Sequence, residues 1–172
     1  ARRLATNLSG HIGGIKVGLE LFCANGVAGV LELTQLGMPI FLDLKFHDIP
    51  NTVAGALRGV MTAHPSILNV HATGGEDMMK TAVATVEECT VKMSCRKPLL
   101  IAVTMLTSLD SKDLHILGSS DAPQKHVTRL AKLSQDCGLD GVVCSALEIN
   151  AVREVYGNSF KLIVPGIRPE GN

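Results

Sequence analysis

The chain has 172 residues, 46% of them hydrophobic, so it is long enough to bury one substantial core. Its 16 Lys and Arg residues balance its 16 Asp and Glu residues, which leaves no basic field to attract nucleic acid. The longest uncharged apolar stretches are well short of the roughly 20 residues that span a bilayer, and the first residues lack the apolar segment of a signal peptide. We therefore expect a cytoplasmic protein with a small-molecule partner and neither a nucleic-acid nor a membrane partner.

Short apolar, β-branched runs alternate along the chain with longer segments in which apolar residues lie three or four apart. The predicted strands are residues 14–17, 39–45, 67–71, 99–104, 141–144 and 161–164. The predicted helices are residues 19–36, 52–63, 77–93, 123–137 and 146–156, preceded by an amphipathic segment at residues 1–6. Continuous apolar strands between helices indicate a parallel sheet covered on both faces, which is an α/β fold.

The positions of the polar residues distinguish an open doubly wound sheet from a closed barrel. They lie at or just after the carboxyl ends of five predicted strands: Lys16, Asp43, Lys45, His71, Thr104 and Arg168. A barrel collects site residues from many strand ends on one face. The sequence therefore predicts a (β/α)₈ TIM barrel that forms a single domain over residues 1–172. Only six strands are recognisable, so we expect the first and last strands of the barrel to be missing from this sequence.

The cysteines do not form a recognisable framework. There are five, an odd number, and no two have CxxC spacing: Cys23, Cys89, Cys95, Cys137 and Cys144. This pattern argues against both a disulfide scaffold and a zinc site. We expect all five to be reduced and most of them to be buried structural thiols.

Residues 41–52 carry the densest group of charges on an apolar strand. Side chains alternate between the two faces of a strand, so Phe41, Asp43 and Lys45 should share the face that points into the barrel. Asp48 follows three residues later and offers a second carboxylate to the same lysine. Two carboxylates favour the protonated amine, which suits a proton donor rather than a Schiff-base lysine. The structural alternative is a buried Asp–Lys pair that only fills the barrel.

Residues 43–52 read DLKFHDIPNT, which resembles the D-x-K-x-x-D-I-P-N-T signature of bacterial-type orotidine 5′-monophosphate decarboxylases along its whole length. A bare DxKxxD is shared with sugar-phosphate enzymes of the same superfamily, whereas the DIPNT continuation is more specific to the decarboxylases. Four further segments agree with the family in order and spacing: IKVG at 15–18, NVHA with a following GG at 69–75, AVTMLTS at 102–108 and VPGIRP at 164–169.

The resemblance implies decarboxylation of orotidine 5′-monophosphate to uridine 5′-monophosphate in de novo pyrimidine biosynthesis, without metal or cofactor. The implied catalytic network is Lys16, Asp43, Lys45 and Asp48, with Lys45 protonating the carbanion at C6. The implied substrate contacts are Ile49, Thr52, Thr107, Pro165 and Arg168, of which Arg168 would bind the phosphate. The resemblance also implies a homodimer in which Asp48 and Thr52 act across the interface.

Two other functions remain open on the sequence alone. One is a Mg²⁺-dependent sugar-phosphate decarboxylase or aldolase of the same superfamily, and the other is a catalytically inactive barrel that only binds a nucleotide. The sequence lacks the family's early-strand Asp, its Gln after the Gly-Ile-Arg-Pro segment and its final Gly-Arg element. Structural roles are expected for the remaining features, namely His47, His71, a turn at Gly74-Gly75 and packing by Met78-Met79.

Overall fold

The computed structural model describes residues 1–167, which fold into alternating strands and helices. The strands are β1 (Ile15–Gly18), β2 (Ile40–Phe46), β3 (Ile67–His71), β4 (Leu99–Val103), β5 (Gly141–Val143) and β6 (Lys161–Ile163). The helices are α1 (Arg2–Leu8), α2 (Leu19–Thr34), α3 (Pro50–Met61), α4 (Glu76–Lys92), α5 (Ser111–Ile116), α6 (Pro123–Asp136) and α7 (Ile149–Tyr156). All six predicted strands are confirmed, with ends that differ from the prediction by one residue at most.

The order of the strands confirms the barrel. Each strand pairs in parallel with the next strand along the chain, in the order β1-β2-β3-β4-β5-β6. In a doubly wound sheet the order of the strands reverses at a switch point. Here the strands keep their chain order across the whole sheet. Among the described residues β1 and β6 each pair on one side only, so the strands form six-eighths of a TIM barrel.

The core lies between the outer face of the sheet and the helices. Leu42, Leu68 and Leu100 on neighbouring strands are almost completely buried, and each contributes about 1.5–3 kcal/mol of apolar burial. Met78 and Met79 on α4 are also fully buried, which confirms their predicted packing role. Apolar side chains on the outer face of the strands thus pack against the helices, and the inner face is available for polar groups.

Local sequence explains where the helices begin. Pro50 and Pro123 occupy the first turns of α3 and α6, where a fixed φ favours the helix and the missing N–H is not needed. Helix α5 was not predicted, because its six residues are too few to show a period. A capping box between Asp110 and Asp113 defines its start. The predicted helix at residues 146–156 is divided into a 3₁₀ turn, Ala146–Glu148, and α7.

All five cysteines are free thiols, as expected. Cys89, Cys137 and Cys144 are buried, Cys95 is partly buried and Cys23 is exposed. Burial raises the pKa of the Cys144 thiol to about 11, so this side chain behaves as a small apolar group. Within residues 1–167 no helix is long and apolar enough to cross a membrane.

Gly141 at the start of β5 provides a test of the sheet. A Cβ atom added there would collide with the backbone carbonyl of Lys161 on β6, so Gly141→Ala must push β6 away from β5. We expect a loss of about 1–3 kcal/mol in the free energy of unfolding, measured by urea denaturation of the full-length protein. The control is Gly59→Ala on the exposed side of α3, where a Cβ meets no atom within 4 Å and should stabilise the helix by about 0.5–1 kcal/mol. Equal stability of the two variants would contradict this β5–β6 pairing.

Candidate active site

A cavity of about 210 Å³ lies at the carboxyl ends of the strands and collects residues from five of them. Its lining is Lys16, Phe41, Asp43, Lys45, Val103, Met105, Leu106, Thr107, Val143, Ile163 and Pro165. Phe41, Asp43 and Lys45 all face this cavity, while Leu42 and Leu44 are buried in the core. The strand therefore divides its charged and apolar side chains between two faces in the way that the alternation indicated.

The Asp43 carboxylate is the centre of this cavity. Its Oδ2 accepts a hydrogen bond from the Lys16 ammonium at 2.8 Å, and its Oδ1 accepts one from the Lys45 ammonium at 2.6 Å. Oδ1 also accepts a hydrogen bond from the Asn69 amide at 2.7 Å. Asp43 is only 6% exposed, and a carboxylate this deep is tolerated when opposite charges and donors satisfy it. One anion is thus shared by two cations.

This environment keeps Asp43 ionised. Burial alone would raise the pKa of its carboxyl group, but the hydrogen bonds from Lys16, Lys45 and Asn69 outweigh burial and hold the pKa below its usual value of 3.8. At neutral pH the cluster therefore contains a carboxylate anion that does not act as an acid. The two lysine side chains are more accessible, at 56% for Lys16 and 32% for Lys45, so both can face a ligand in the cavity.

The backbone at Lys45 departs from a regular strand. Lys45 has φ of 51°, a left-handed conformation that costs a non-glycine residue about 1–3 kcal/mol. The pairing of β2 with β3 shifts between Leu42 and Phe46, and the Lys45 N–H donates to the Asn69 side-chain oxygen at 2.8 Å. The register shift is a β-bulge in β2. The alternation of side chains predicted a regular strand here and could not reveal this bulge.

Two of the predicted substrate contacts, Thr107 and Pro165, line the same cavity as the charged cluster. Thr107 lies in the loop after β4, and Pro165 follows β6. Thr104, also a polar residue at a strand end, is buried and donates to the Val143 carbonyl at 2.9 Å, so it joins β4 to β5. Arg168, the predicted phosphate ligand, lies outside the described residues.

Asp48, Ile49 and Thr52 lie away from this cavity. The Asp48 carboxylate is exposed and accepts a hydrogen bond from the Ile49 N–H at 2.7 Å. Within residues 1–167 of a single chain, no ion pair joins Asp48 to Lys45. The expectation from spacing that Asp48 would lie beside the same chain's lysine is therefore not met, because the chain turns outward after β2 before α3 begins. Ile49 is 67% exposed, and Thr52 is exposed on the first turn of α3.

His47 and His71 form a stacked pair beside the cluster. Their ring centroids are 5.1 Å apart and their planes differ by 28°. The pKa of His71 lies below its usual value of 6.5, mainly because the ring is buried and also because His47 and Lys45 are nearby. This lowered pKa favours a neutral ring at physiological pH. Gly75 has φ of 89° at the start of α4, in agreement with the predicted turn at Gly74-Gly75.

A larger cavity of about 700 Å³ lies between α1, β1 and α2 and shares Lys16 with the smaller one. Most of its lining is apolar and belongs to these three elements. We assign the candidate active site to the smaller cavity, because it contains the buried carboxylate and both lysines. Within residues 1–167 no group of three or more His, Cys, Asp or Glu side chains is arranged to hold a metal ion.

Asn69 is the member of this cluster to which the sequence did not assign a role. It is completely buried in the centre of β3 and contacts both Asp43 and the Lys45 backbone. Its signals in the sequence are an amide in the middle of an apolar strand and a place in the NVHA segment, and neither one indicates a role. Such a residue needs hydrogen-bond partners within the protein.

The fold and the cluster are those of a (β/α)-barrel enzyme with its active site at the carboxyl ends of the strands. The family model described as "Orotidine 5'-phosphate decarboxylase / HUMPS family" matches residues 1–172, and the chain belongs to this family. A relative from Rhodospirillum rubrum, named orotidine 5'-phosphate decarboxylase, is 50% identical over 170 residues, which is 98% of this chain and 69% of the relative. A relative of the same name from Paramagnetospirillum magneticum is 48% identical over 166 residues, which is 96% of this chain and 71% of the relative.

Solved structures agree with this assignment. Orotidine 5'-phosphate decarboxylase from Lactobacillus acidophilus is 38% identical with a TM-score of 0.88, covering 97% of this chain and 76% of that one. The enzyme of the same name from Pyrococcus horikoshii is 24% identical with a TM-score of 0.76, covering 98% of this chain and 74% of that one. The second likeness supports the fold alone.

Proposed function

We infer that the protein is an orotidine 5′-monophosphate decarboxylase, a carboxy-lyase that forms uridine 5′-monophosphate and CO₂ in de novo pyrimidine biosynthesis. The observation that carries this function is the ionised Asp43 carboxylate held between the Lys16 and Lys45 ammonium groups, in a chain about half identical to decarboxylases. The two other functions left open by the sequence, the Mg²⁺-dependent sugar-phosphate enzyme and the inactive barrel, are not favoured.

The proposed mechanism depends on the charges around the reacting carbon. The substrate carboxylate would lie near Asp43, where two anions repel each other, and its conversion into neutral CO₂ removes this repulsion. The C6–carboxylate bond breaks, and its electron pair stays on C6. The Lys45 ammonium stabilises this carbanion and then transfers a proton to it, which leaves a neutral amine. No metal or cofactor takes part in these steps.

The other predicted site residues are proposed to hold the charge of the cluster or to bind the substrate. Lys16 balances the charge of Asp43, so that the carboxylate stays ionised in a buried place. Thr107 and Pro165 line the same cavity as Asp43 and Lys45 and are proposed to contact the pyrimidine nucleotide. Arg168 is proposed to bind the phosphate through a bidentate guanidinium contact. Binding at this distant group can then supply free energy to the reacting centre.

We also propose that the active form is a homodimer with shared sites. Asp48, Ile49 and Thr52 are all exposed, and Asp48 and Ile49 line a surface groove together with Thr73 and Gly74. The exposure of these three side chains supports a role in the site of the neighbouring subunit. There Asp48 would be the second carboxylate near Lys45, and Ile49 and Thr52 would contact the substrate. We further propose that residues 1–172 belong to one barrel domain and that the enzyme works in the cytoplasm.

The first test is turnover of orotidine 5′-monophosphate by the full-length protein, followed by the loss of ultraviolet absorbance with and without EDTA. We expect conversion that EDTA does not affect, and we expect Lys45→Ala to lower kcat by at least about 10³-fold, because the proton donor and a stabilising cation are lost together. The control is Lys97→Ala, which removes an exposed ion pair with Glu87. EDTA-sensitive turnover would favour the metal-dependent alternative, and an active Lys45→Ala protein would refute the role of Lys45.

Subunit mixing tests the shared site. Lys45→Ala and Asp48→Ala homodimers should both be inactive, whereas each heterodimer should contain one site with both wild-type residues. After complete exchange at equal concentrations, half of the dimers are mixed, and activity should return to roughly one quarter of the wild-type value. Mass spectrometry of the intact dimers would verify the exchange. Verified heterodimers without activity would contradict the sharing of Asp48.

A further inference from the structure

Asn69 occupies a break in the pairing between β2 and β3. The two strands are in register at Leu42 and Leu68, and again at Phe46 and Val70. Between these pairs β2 advances by four residues while β3 advances by two, so β2 carries two extra residues next to Asn69. At this point the side chain of Asn69 accepts a hydrogen bond from the Lys45 backbone N–H and donates one to the Asp43 carboxylate.

Both ends of the amide are used, and each end makes a bond that the other could not make. Oδ1 accepts the Lys45 N–H at 2.8 Å, and Nδ2 donates to the Asp43 carboxylate at 2.7 Å. The reverse orientation would set a donor against the N–H and an acceptor against the carboxylate, so the contacts define the orientation of the amide. An aspartate would lack the donor, and a leucine of similar volume would lack both groups.

We propose that Asn69 is a positioning residue for the decarboxylation: it connects the Lys45 backbone to the Asp43 carboxylate and so fixes the ammonium and the carboxylate relative to each other. This inference rests on the proposed function. The left-handed backbone at Lys45 needs such support, because a strained conformation persists only where its surroundings determine it. The amide stabilises the carboxylate without adding a charge that would compete with Lys16 or Lys45.

The electrostatic consequence can be measured. Burial raises the pKa of Asp43, and the Asn69 hydrogen bond is one of the contacts that lower it again. The proposed reaction needs the Asp43 carboxylate anion, so kcat should fall as the pH falls through the pKa of Asp43 in the enzyme–substrate complex. Loss of the Asn69 amide removes one contact that lowers this pKa and should move the acid limb of the kcat profile to higher pH.

The test compares full-length wild type with Asn69→Asp and Asn69→Ala. Asn69→Asp keeps the size of the side chain and an acceptor for the Lys45 N–H, but it brings a second carboxylate close to Asp43 and should shift the acid limb to higher pH. Asn69→Ala loses both bonds and should lower kcat by about tenfold to a hundredfold, the cost of imprecise positioning, with a smaller change in KM. If Asn69→Ala does not fold, the Asn69→Asp profile decides.

The control is Ser134→Ala on α6, which removes a buried hydroxyl that donates to the Leu130 carbonyl, away from the cavity. It should lose stability without moving the acid limb. An acid limb and kcat like those of wild type in a folded Asn69→Asp protein would overturn the proposal. A wild-type protein that does not turn over orotidine 5′-monophosphate would instead overturn the proposed function, and this inference with it.

Discussion

The site depends on one interaction, the buried Asp43 carboxylate held between two lysine ammonium groups. An unpaired carboxylate at this depth would take up a proton, and the cluster would then lose the negative charge that the proposed chemistry uses. Lys16 comes from β1 and Lys45 from β2, and the parallel pairing of these strands brings their carboxyl ends to the same face of the barrel. The barrel is therefore the means by which three charged side chains, two of them 27 residues apart in sequence, come within hydrogen-bond distance.

This arrangement costs stability. A buried ion pair is often no more stable than a well-packed apolar group of the same volume, and the left-handed backbone at Lys45 adds about 1–3 kcal/mol of strain. The apolar face of the same strand offsets this cost, because Leu42 and Leu44 are buried against the helices. One strand thus stabilises the fold on one side and carries the reactive charges on the other.

The parts of the molecule that could be predicted are those that a local pattern encodes. Continuous apolar runs gave the six strands to within one residue, because a strand buried on both faces needs no polar alternation. Helix α5 was too short to show a period, and the bulge at Lys45 depends on Asn69, which is 24 residues away in sequence. Lys16, Asp43 and Lys45 were predicted to form one cluster and do so. Asp48 could not be placed by spacing alone, because the segment after β2 turns away from the cavity of its own chain.

The ionisation of Asp43 is the central claim, and the carboxyl ¹³C resonance of Asp43 in the full-length protein measures it most directly. A carboxyl group with a pKa below its usual value of 3.8 should still show the chemical shift of the anion at pH values where an ordinary aspartate has begun to take up a proton. Asp43→Asn identifies the resonance by its loss. A titration midpoint well above the usual value for aspartate would show that burial prevails over the two lysines, and it would contradict an ionised Asp43 at the centre of the site.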